Sequence, residues 1–296
     1  MANKKTRRQI EPNIKQRKNN AKMDREFIVN NLIAGVYTHN DKYFKKFTDN
    51  WTENYVNVEL IYNIKKGKIN QNMERLRHKF LQSNKRYWLF MDDDILFPNN
   101  QVIEVAMENM KRNDLALCTV YQTTDYELAH KVNPSNLSFE FITWSAGYFM
   151  LVDSNQVGLL PFDLHLPTTL GSMSDIEYCM NIIVNDGLLG IAPTMIYHAD
   201  EGSSPKVNKP FDLKNADQIE LNNNINKFFK DLDPKLMQNN PQIELVFLDN
   251  GKIDYNETVG GHYLKHKYPD IYHEVVARHH YNIVHTNKKD NFTFTK

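Results

Sequence analysis

Residues 86–98, RYWLFMDDDILFP, are the most informative part of the sequence because a short apolar run leads directly into three aspartates. The apolar run at 87–91 is typical of a buried strand. Adjacent carboxylates repel one another, so we expect Asp92, Asp93 and Asp94 to bind a divalent cation that offsets their charge. On an extended chain Asp92 and Asp94 point to one side and Asp93 to the other. The alternative is a solvated turn in which an aspartate caps the next helix.

Segments on both sides of this stretch alternate between strand-like and helix-like patterns. Runs of apolar residues predict further strands at residues 27–37, 56–62, 114–121, 139–152 and 188–197. Apolar residues at helical spacing lie between several of them. Strands that alternate with helices predict an α/β fold with a mostly parallel sheet flanked by helices. Ligands bind at the carboxyl ends of such strands, and the aspartates stand at one of these ends.

The composition excludes several classes of protein. The chain has 296 residues, of which 41% are hydrophobic and 24% charged, unlike a disordered, collagen-like or mucin-like protein. No run approaches the roughly 18 apolar residues of a membrane span, and the first residues lack the apolar core of a signal peptide. We therefore expect a cytoplasmic protein. Cys118 and Cys179 lie in apolar runs, which indicates core positions rather than a disulfide or a zinc site.

The net charge of zero conceals an asymmetry along the chain. Residues 1–22 hold eight basic residues and one acidic residue, a net charge of +7, so the remainder carries −7. We expect residues 1–24 to form a disordered basic arm that either contacts a nucleic acid or acts as a solubilising tail. After about residue 204 the composition shifts toward Asn and Lys. This shift predicts a main α/β domain at 25–204 and a small α+β accessory region at 205–296.

Three later segments follow the aspartates in a characteristic order. They are WSAGYFMLVDS (144–154), LPFDLHL (160–166) and SDIEYCMNIIVNDGLLGIAPTMIYHAD (174–200). In order and spacing, these segments and the Asp-x-Asp stretch resemble the motifs of the large inverting family 2-like glycosyltransferases with the GT-A fold. The resemblance covers about residues 27–200. It implies that the protein transfers a sugar, with inversion, from a nucleotide-sugar to an acceptor hydroxyl.

The resemblance also implies which residues form the site. Asp92 and Asp94 match the metal-binding motif, and His198 matches a late histidine that is a further metal ligand in several members. Since imidazole suits Mn²⁺ better than Mg²⁺, we favour manganese. Asp175 matches the general base, but Ser174 replaces the acidic residue that usually precedes it, which leaves Asp175 and Glu177 as alternatives. By sequence alone, Ser174 and Glu177 also match a capping box, the pattern that begins a helix.

The same resemblance indicates which residues bind the nucleotide-sugar. The family holds the nucleoside near the ends of its first two strands, and its diphosphate near the helix before the Asp-x-Asp strand. Uridine is the commonest base in the family. The matching positions here are Thr38, Asp41, Asn63, Arg75 and Arg77, with Asp92 and Asp93 of the motif itself.

The acceptor is left open between several classes. A basic arm on an enzyme without a membrane span fits a phage-type glycosyltransferase that modifies hydroxylated pyrimidines in DNA, working in the host cytoplasm. A polysaccharide, lipid or protein acceptor is the alternative. From a different class, a metal-dependent nuclease or nucleotidyltransferase would need a further acidic residue close to the aspartates.

Overall fold

The computed structural model describes residues 24–38, 41–64, 69–131, 136–166, 173–199, 255–277, 284–286 and 292–294. The helices of these residues are α1 (Arg25–Asn31), α2 (Asp41–Tyr55), α3 (Ile69–Leu81), α4 (Val102–Arg112), α5 (Tyr126–Lys131), α6 (Ser154–Val157), α7 (Ser174–Val184), α8 (Tyr255–Lys267) and α9 (Tyr272–Ala277). The strands are β1 (Leu32–Thr38), β2 (Glu59–Ile64), β3 (Tyr87–Asp92), β4 (Ile95–Leu96), β5 (Leu117–Thr123), β6 (Glu140–Ile142), β7 (Phe149–Asp153), β8 (Leu189–His198), β9 (Val284–Thr286) and β10 (Phe292–Phe294).

Eight strands form one sheet in the order β2-β1-β3-β7-β5-β8-β4, with β6 paired to β8. Strands β1, β2, β3, β5 and β8 all run in the same direction, so their carboxyl ends share one edge of the sheet. The predicted α/β class is confirmed. The sheet is mixed rather than mostly parallel, because β7 runs antiparallel between β3 and β5 and because β4 and β6 are antiparallel to β8.

The sheet is covered by helices on both faces, and this explains the continuous apolar run of β3. Leu89 and Met91 pack in a core cluster with α2 and α4. Trp88 and Phe90 point to the other face and pack with α3 and α7. Side chains of a strand alternate between the two faces, so a strand buried on both sides has no polar positions.

The predicted strand at 27–37 is wrong in its first half. Residues up to Asn31 form α1, and β1 begins at Leu32. Asp24 caps this helix, since its side chain accepts the Glu26 N–H at 3.1 Å. Such a cap satisfies one of the free donors at a helix start, which favours a helix over an extended chain here.

The described residues after the predicted domain boundary pack against residues before it. Val259, Tyr263 and Leu264 of α8 lie in one apolar cluster with Leu166 and with Met180 of α7. The basic arm lies outside the described residues, except for Asp24. No described helix has the length and apolar character needed to cross a membrane.

Candidate functional site

The aspartate triplet lies at the carboxyl edge of the sheet. Asp92 ends β3, and its N–H donates to the Tyr148 carbonyl at 3.3 Å. The Asp94 carbonyl accepts the N–H of Ala199, just past β8, at 3.0 Å. Asp93 is 2% exposed and Asp94 is 8% exposed. The triplet is therefore held by the segments that precede β7 and follow β8, and it is not a solvated turn.

The structure brings two of these aspartates together with the predicted histidine. One ligand atom each from Asp92, Asp94 and His198 lies within 4.8 Å of the others. Asp94 Oδ1 is 3.2 Å from His198 Nε2, yet this buried oxygen has no hydrogen bond among the described residues. Two carboxylates and an imidazole form a donor set that suits a divalent metal ion such as Mn²⁺. The residues therefore fit the metal that the sequence resemblance implies.

His198 is held by two residues that the sequence analysis missed. Its Nδ1 lies 2.6 Å from Oε1 of Gln122, and its Nε2 lies 3.2 Å from Oδ1 of Asp94. The Gln122 oxygen accepts a hydrogen bond when Nδ1 carries a proton. The Tyr148 ring stacks on the imidazole with centroids 5.4 Å apart, and the Tyr148 hydroxyl donates to the Val120 carbonyl at 2.6 Å. Gln122 could have been proposed as a site residue from the sequence, because it is a polar residue near the carboxyl end of an apolar strand. The predicted strand stopped at residue 121, two residues before β5 ends.

Asp92 has a hydrogen-bond partner on the neighbouring strand. Tyr37 is opposite Asp92 in the β1–β3 register, and their side chains form a hydrogen bond. Burial, followed by the charge of Asp94, raises the pKa of Asp92 to about 7. Burial, followed by the charge of Asp92, also raises the pKa of Tyr37. The Asp92 carboxyl is therefore harder to ionise than an exposed aspartate, and a bound cation would favour its charged form.

Asp175 lies in the first turn of α7, on the same side of the sheet edge as Tyr37. Its Oδ2 accepts the Gly147 N–H at 3.0 Å, and its Oδ1 accepts the Ile176 N–H at 2.9 Å. Burial raises the pKa of this carboxyl, and the backbone N–H groups oppose that rise. The charge of Asp175 contributes, after burial and the charges of Asp92 and Asp93, to the raised pKa of Tyr37.

Ser174 and Glu177 do not form the capping box that the sequence indicated. The Ser174 hydroxyl points to the Met73 sulfur at 3.7 Å. Glu177 is 1% exposed, and its Oε1 accepts from Lys267 Nζ at 2.7 Å and from the Tyr268 hydroxyl at 2.6 Å. Glu177 therefore holds α8 against α7 rather than capping α7.

The predicted nucleoside residues lie at or near the carboxyl ends of β1 and β2. Thr38 is the last residue of β1 and is buried. Asp41 begins α2 directly after the connecting segment. Asn63 is the penultimate residue of β2, and its side-chain amide donates to the Asn72 carbonyl at 3.5 Å. These positions therefore lie at the same edge of the sheet as the aspartates.

The two arginines of α3 differ in their contacts. Arg75 donates to Oδ1 of Asn72 at 3.0 Å. Arg77 forms two hydrogen bonds with Glu74, at 2.8 and 2.6 Å, and a third with the Leu159 carbonyl at 3.0 Å. Arg77 therefore ties α3 to the loop after α6, a structural contact that occupies its guanidinium.

No known protein family and no curated protein matches this chain. Solved structures do match. Mannosyltransferase PcManGT from Pyrobaculum calidifontis, in complex with GDP-Man and Mn²⁺, is 12% identical over 57% of this chain and 56% of that chain, with a TM-score of 0.39. GalNAc-T7 with UDP, GalNAc and Mn²⁺ is 9% identical over 83% of this chain and 57% of that chain, with a TM-score of 0.43.

Another similar structure is S. aureus TarS in complex with UDP-GlcNAc. It is 11% identical over 81% of this chain and 73% of that chain, with a TM-score of 0.42. The chain thus spans just over half the length of PcManGT and of GalNAc-T7, and about three quarters of the TarS chain. At such identities and TM-scores, these similarities assign no function, substrate or metal to this protein.

Proposed function

We propose that the protein is a metal-dependent glycosyltransferase of the GT-A type. The observation that carries this proposal is the group formed by Asp92, Asp94 and His198 at the carboxyl edge of the sheet. The buried Asp94 Oδ1, which has no hydrogen bond among the described residues, is explained by a cation in the site. The sequence motifs supply the reaction class, since the same aspartates match the Asp-x-Asp motif of the family.

In this proposal Asp92, Asp94 and His198 hold Mn²⁺, with Mg²⁺ as the alternative. A divalent cation there supplies positive charge for the diphosphate of a nucleotide-sugar. Gln122 and Tyr148 orient the imidazole, so that Nε2 faces the metal position. Arg75 contributes to the diphosphate subsite, and Thr38, Asp41 and Asn63 to the nucleoside subsite. Asp93 is kept as a predicted contact to the nucleotide-sugar from its place in the motif. Arg77 is a weaker candidate because Glu74 and Leu159 hold it.

Asp175 is the proposed general base. The backbone N–H groups of Gly147 and Ile176 fix its carboxylate, while each oxygen retains a second lone pair that can take a proton. Burial raises the pKa of Asp175, which makes it a stronger base than an exposed aspartate. It would accept the proton of the acceptor hydroxyl as that oxygen bonds to the anomeric carbon. The bond from this carbon to the nucleoside diphosphate would break on the opposite side, and the diphosphate would leave with the electron pair, so the configuration is inverted. Glu177 is unsuited to this role because Lys267 and Tyr268 hold Oε1 of its buried carboxylate.

The donor is tested by thermal unfolding with a panel of UDP-, GDP- and CMP-sugars, with and without Mn²⁺. A ligand that binds the native state raises the unfolding midpoint. We expect a UDP-sugar to protect the protein only when Mn²⁺ is present, and Asp94→Asn to abolish the protection. Protection that does not depend on the metal, or no protection by any nucleotide-sugar, would contradict the proposal.

The acceptor proposed from the basic arm is a hydroxylated pyrimidine in DNA. The arm lies outside the described residues, so its sequence is the sole support. The test incubates the enzyme with nucleotide-sugars and hydroxymethylated DNA, and follows added sugar by mass spectrometry. DNA binding should fall steeply with salt, and deletion of residues 1–22 should weaken it and flatten the salt dependence. Equal binding by the full-length and truncated proteins at low salt would favour a carbohydrate, lipid or protein acceptor.

The nuclease alternative has less support. It requires a further acidic side chain beside Asp92 and Asp94. Within the part of the chain that the structure describes, the residue that completes the group is His198. Release of nucleotides from DNA in the presence of Mn²⁺, without any nucleotide-sugar, would favour this alternative.

A further inference from the structure

Three aromatic side chains form a corner near the ends of β5 and β8, at the carboxyl edge of the sheet. The rings of Tyr126 and Tyr197 meet edge to face, with centroids 5.4 Å apart and planes at 82°. The His130 imidazole lies 4.5 Å from the Tyr126 ring, tilted by 60°. Tyr126 is 50% exposed. A single exposed aromatic residue is common, but this one belongs to a cluster in which two further rings surround it.

Hydrogen bonds and buried side chains fix the position of this corner. Thr123 ends β5, is buried, and accepts the Asp125 N–H at 3.1 Å. Asp125 in turn accepts the Leu128 N–H at 3.0 Å and so caps α5. The apolar side of α5 anchors it to the sheet through Leu128 and Ala129, which are both 5% exposed. Tyr126 is thus presented to solvent at a defined position, which lowers the entropy lost when a ligand binds.

The corner lies at the same edge of the sheet as the proposed chemistry. Tyr197 is opposite Thr123 in the β5–β8 register and directly precedes His198. Since side chains alternate along a strand, Tyr197 shares a face with Met195, which packs in one cluster with α7. Asp175 lies in the first turn of α7. The aromatic corner therefore opens on the side where the proposed base lies.

The charges around the corner do not suit a polyanion. Residues 124–131 contain two acidic side chains and one basic side chain, Lys131, and this lysine forms an ion pair with Glu127. Proteins that stack nucleobases on aromatic rings combine those rings with a basic groove for the phosphates. A neutral sugar can stack its C–H face on the electron-rich face of an aromatic ring without a basic groove. Nearby hydroxyls of the protein can accept hydrogen bonds from the hydroxyls of the sugar.

We propose that Tyr126, His130 and Tyr197 form an acceptor subsite that stacks a ring of a neutral carbohydrate. This proposal rests on the proposed glycosyltransferase function, and for the acceptor it favours a carbohydrate over the DNA proposed from the basic arm. The stacked ring belongs to the acceptor chain, and it positions the neighbouring hydroxyl toward Asp175 and the metal group. The alternative ligand, an unpaired nucleobase of a nucleic acid, is an outcome of the test.

The test is saturation-transfer NMR on the full chain with the nucleotide that protects it and with Mg²⁺, because paramagnetic Mn²⁺ would broaden the ligand signals. The probes are the neutral oligosaccharides cellotetraose, maltotetraose, mannotetraose and chitotetraose and, separately, an oligothymidylate. We expect transfer to the ring protons of at least one oligosaccharide. Tyr126→Ala should weaken that binding about tenfold, whereas Tyr126→Phe, which keeps the ring, should retain it. Phe141→Ala is the matched control, because Phe141 is a half-exposed aromatic of β6 that pairs with the opposite end of β8.

The outcomes separate this proposal from the function on which it rests. If no nucleotide-sugar protects the wild type, the glycosyltransferase proposal fails. If a nucleotide-sugar protects the wild type but no oligosaccharide receives saturation, the acceptor subsite is refuted. Equal oligosaccharide binding by wild type and Tyr126→Ala refutes it as well. Binding of oligothymidylate that is lost in Tyr126→Ala would assign the corner to a nucleic acid instead.

Discussion

Two clusters of acidic side chains in this molecule differ in how their charge is neutralised. In one, Lys267 Nζ lies 2.6 Å from Asp163 Oδ2 and 2.7 Å from Glu177 Oε1, and the hydroxyls of Tyr263 and Tyr268 donate to the same two oxygens. In the other, Asp92 and Asp94 face one another and the imidazole of His198. The first cluster contains its own cation, and the second has no Lys or Arg in its described ion pairs.

The pKa values show the consequence of this difference. Burial alone would raise the pKa of Asp163, but the hydrogen bonds from Lys267 and Tyr263 outweigh burial and lower it. Burial and the neighbouring carboxylate raise the pKa of Asp92 to about 7. A self-neutralised cluster stabilises the fold, whereas a cluster that lacks a cation is arranged for a ligand that brings one. Mutations in the two clusters should therefore affect different properties.

The largest expected effect is on activity, from Asp94→Asn. Removing one charged ligand should lower kcat/KM for sugar transfer by more than ~100-fold, since loss of an outer-shell partner alone costs 10–100-fold. The unfolding midpoint should stay close to that of wild type, because the substitution changes no volume. Asp49→Asn, at an exposed ion pair with Lys45, is the control and should leave activity unchanged. Wild-type turnover by Asp94→Asn at saturating Mn²⁺ would show that the second cluster binds no catalytic metal.

Asp175→Asn should lower kcat by about 10²–10⁴-fold, the usual contribution of a general base. Nucleotide-sugar binding, measured by thermal protection, should be unchanged, because a base acts on the acceptor in the transition state. Glu177→Gln is the comparison, since Glu177 belongs to the self-neutralised cluster. It should keep most of the activity and lose stability. The opposite ranking of kcat for the two variants would assign the base to Glu177.

Gln122→Ala tests how His198 is oriented. Without the acceptor at Nδ1, the imidazole is free to rotate and to change tautomer, and Mn²⁺ affinity should fall about 10–100-fold. Gln122→Glu keeps an acceptor oxygen and should retain the affinity. Electron paramagnetic resonance of Mn²⁺, without any nucleotide-sugar, measures the Mn²⁺ affinity of both variants. Equal Mn²⁺ affinity in Gln122→Ala and wild type would mean that Gln122 does not orient a ligand.

Lys267→Met should affect stability rather than metal binding. It leaves two carboxylates without their cation, and we expect the free energy of unfolding to fall by about 3 kcal/mol. This is the low end of the range for buried pairs, because the Lys267 side chain is 33% exposed. The matched control is Lys45→Met at the exposed pair with Asp49, for which we expect less than ~0.5 kcal/mol. Urea denaturation measures both, and equal changes would contradict the distinction between the clusters.

The smallest effect concerns acid stability. The folded-state pKa of Asp163 lies below the ~3.9 of an unfolded chain. Its contribution to stability is therefore complete above about pH 4 and is lost as the pH falls through the folded-state pKa. The stability difference between wild type and Asp163→Asn should shrink between neutral pH and pH 3. A difference that does not change with pH would mean that the charge of Asp163 adds no stability.

The sequence predicted those parts of the site whose signal is local. An apolar run that ends in aspartates indicates the carboxyl end of a buried strand, and β3 ends at Asp92. His198 was correctly placed at the end of a strand for the same reason. These patterns are short-range consequences of strand geometry, so a single sequence is enough to recognise them.

Other features depend on which segments become neighbours, and the sequence did not reveal them. Strands buried on both faces are apolar whether they are parallel or antiparallel, so the direction of β7 could not be inferred. Ser174 and Glu177 match a capping box in the sequence. In the structure Glu177 instead accepts a hydrogen bond from Lys267 on α8, a residue distant in the sequence. Arg77 could equally have faced a ligand, but Glu74 and the Leu159 carbonyl occupy it.

The sequence by itself thus determined the α/β class, the strand that carries the aspartates and the residue types able to bind a metal. The physical reason is that side-chain periodicity and like-charge repulsion act between residues close together along the chain. Only the tertiary structure decided that Gln122 and Tyr148 orient His198 and that Lys267 neutralises Glu177. Hydrogen bonds and ion pairs depend on distances of a few ångströms, and between distant segments those distances exist only after the sheet and its helices have packed.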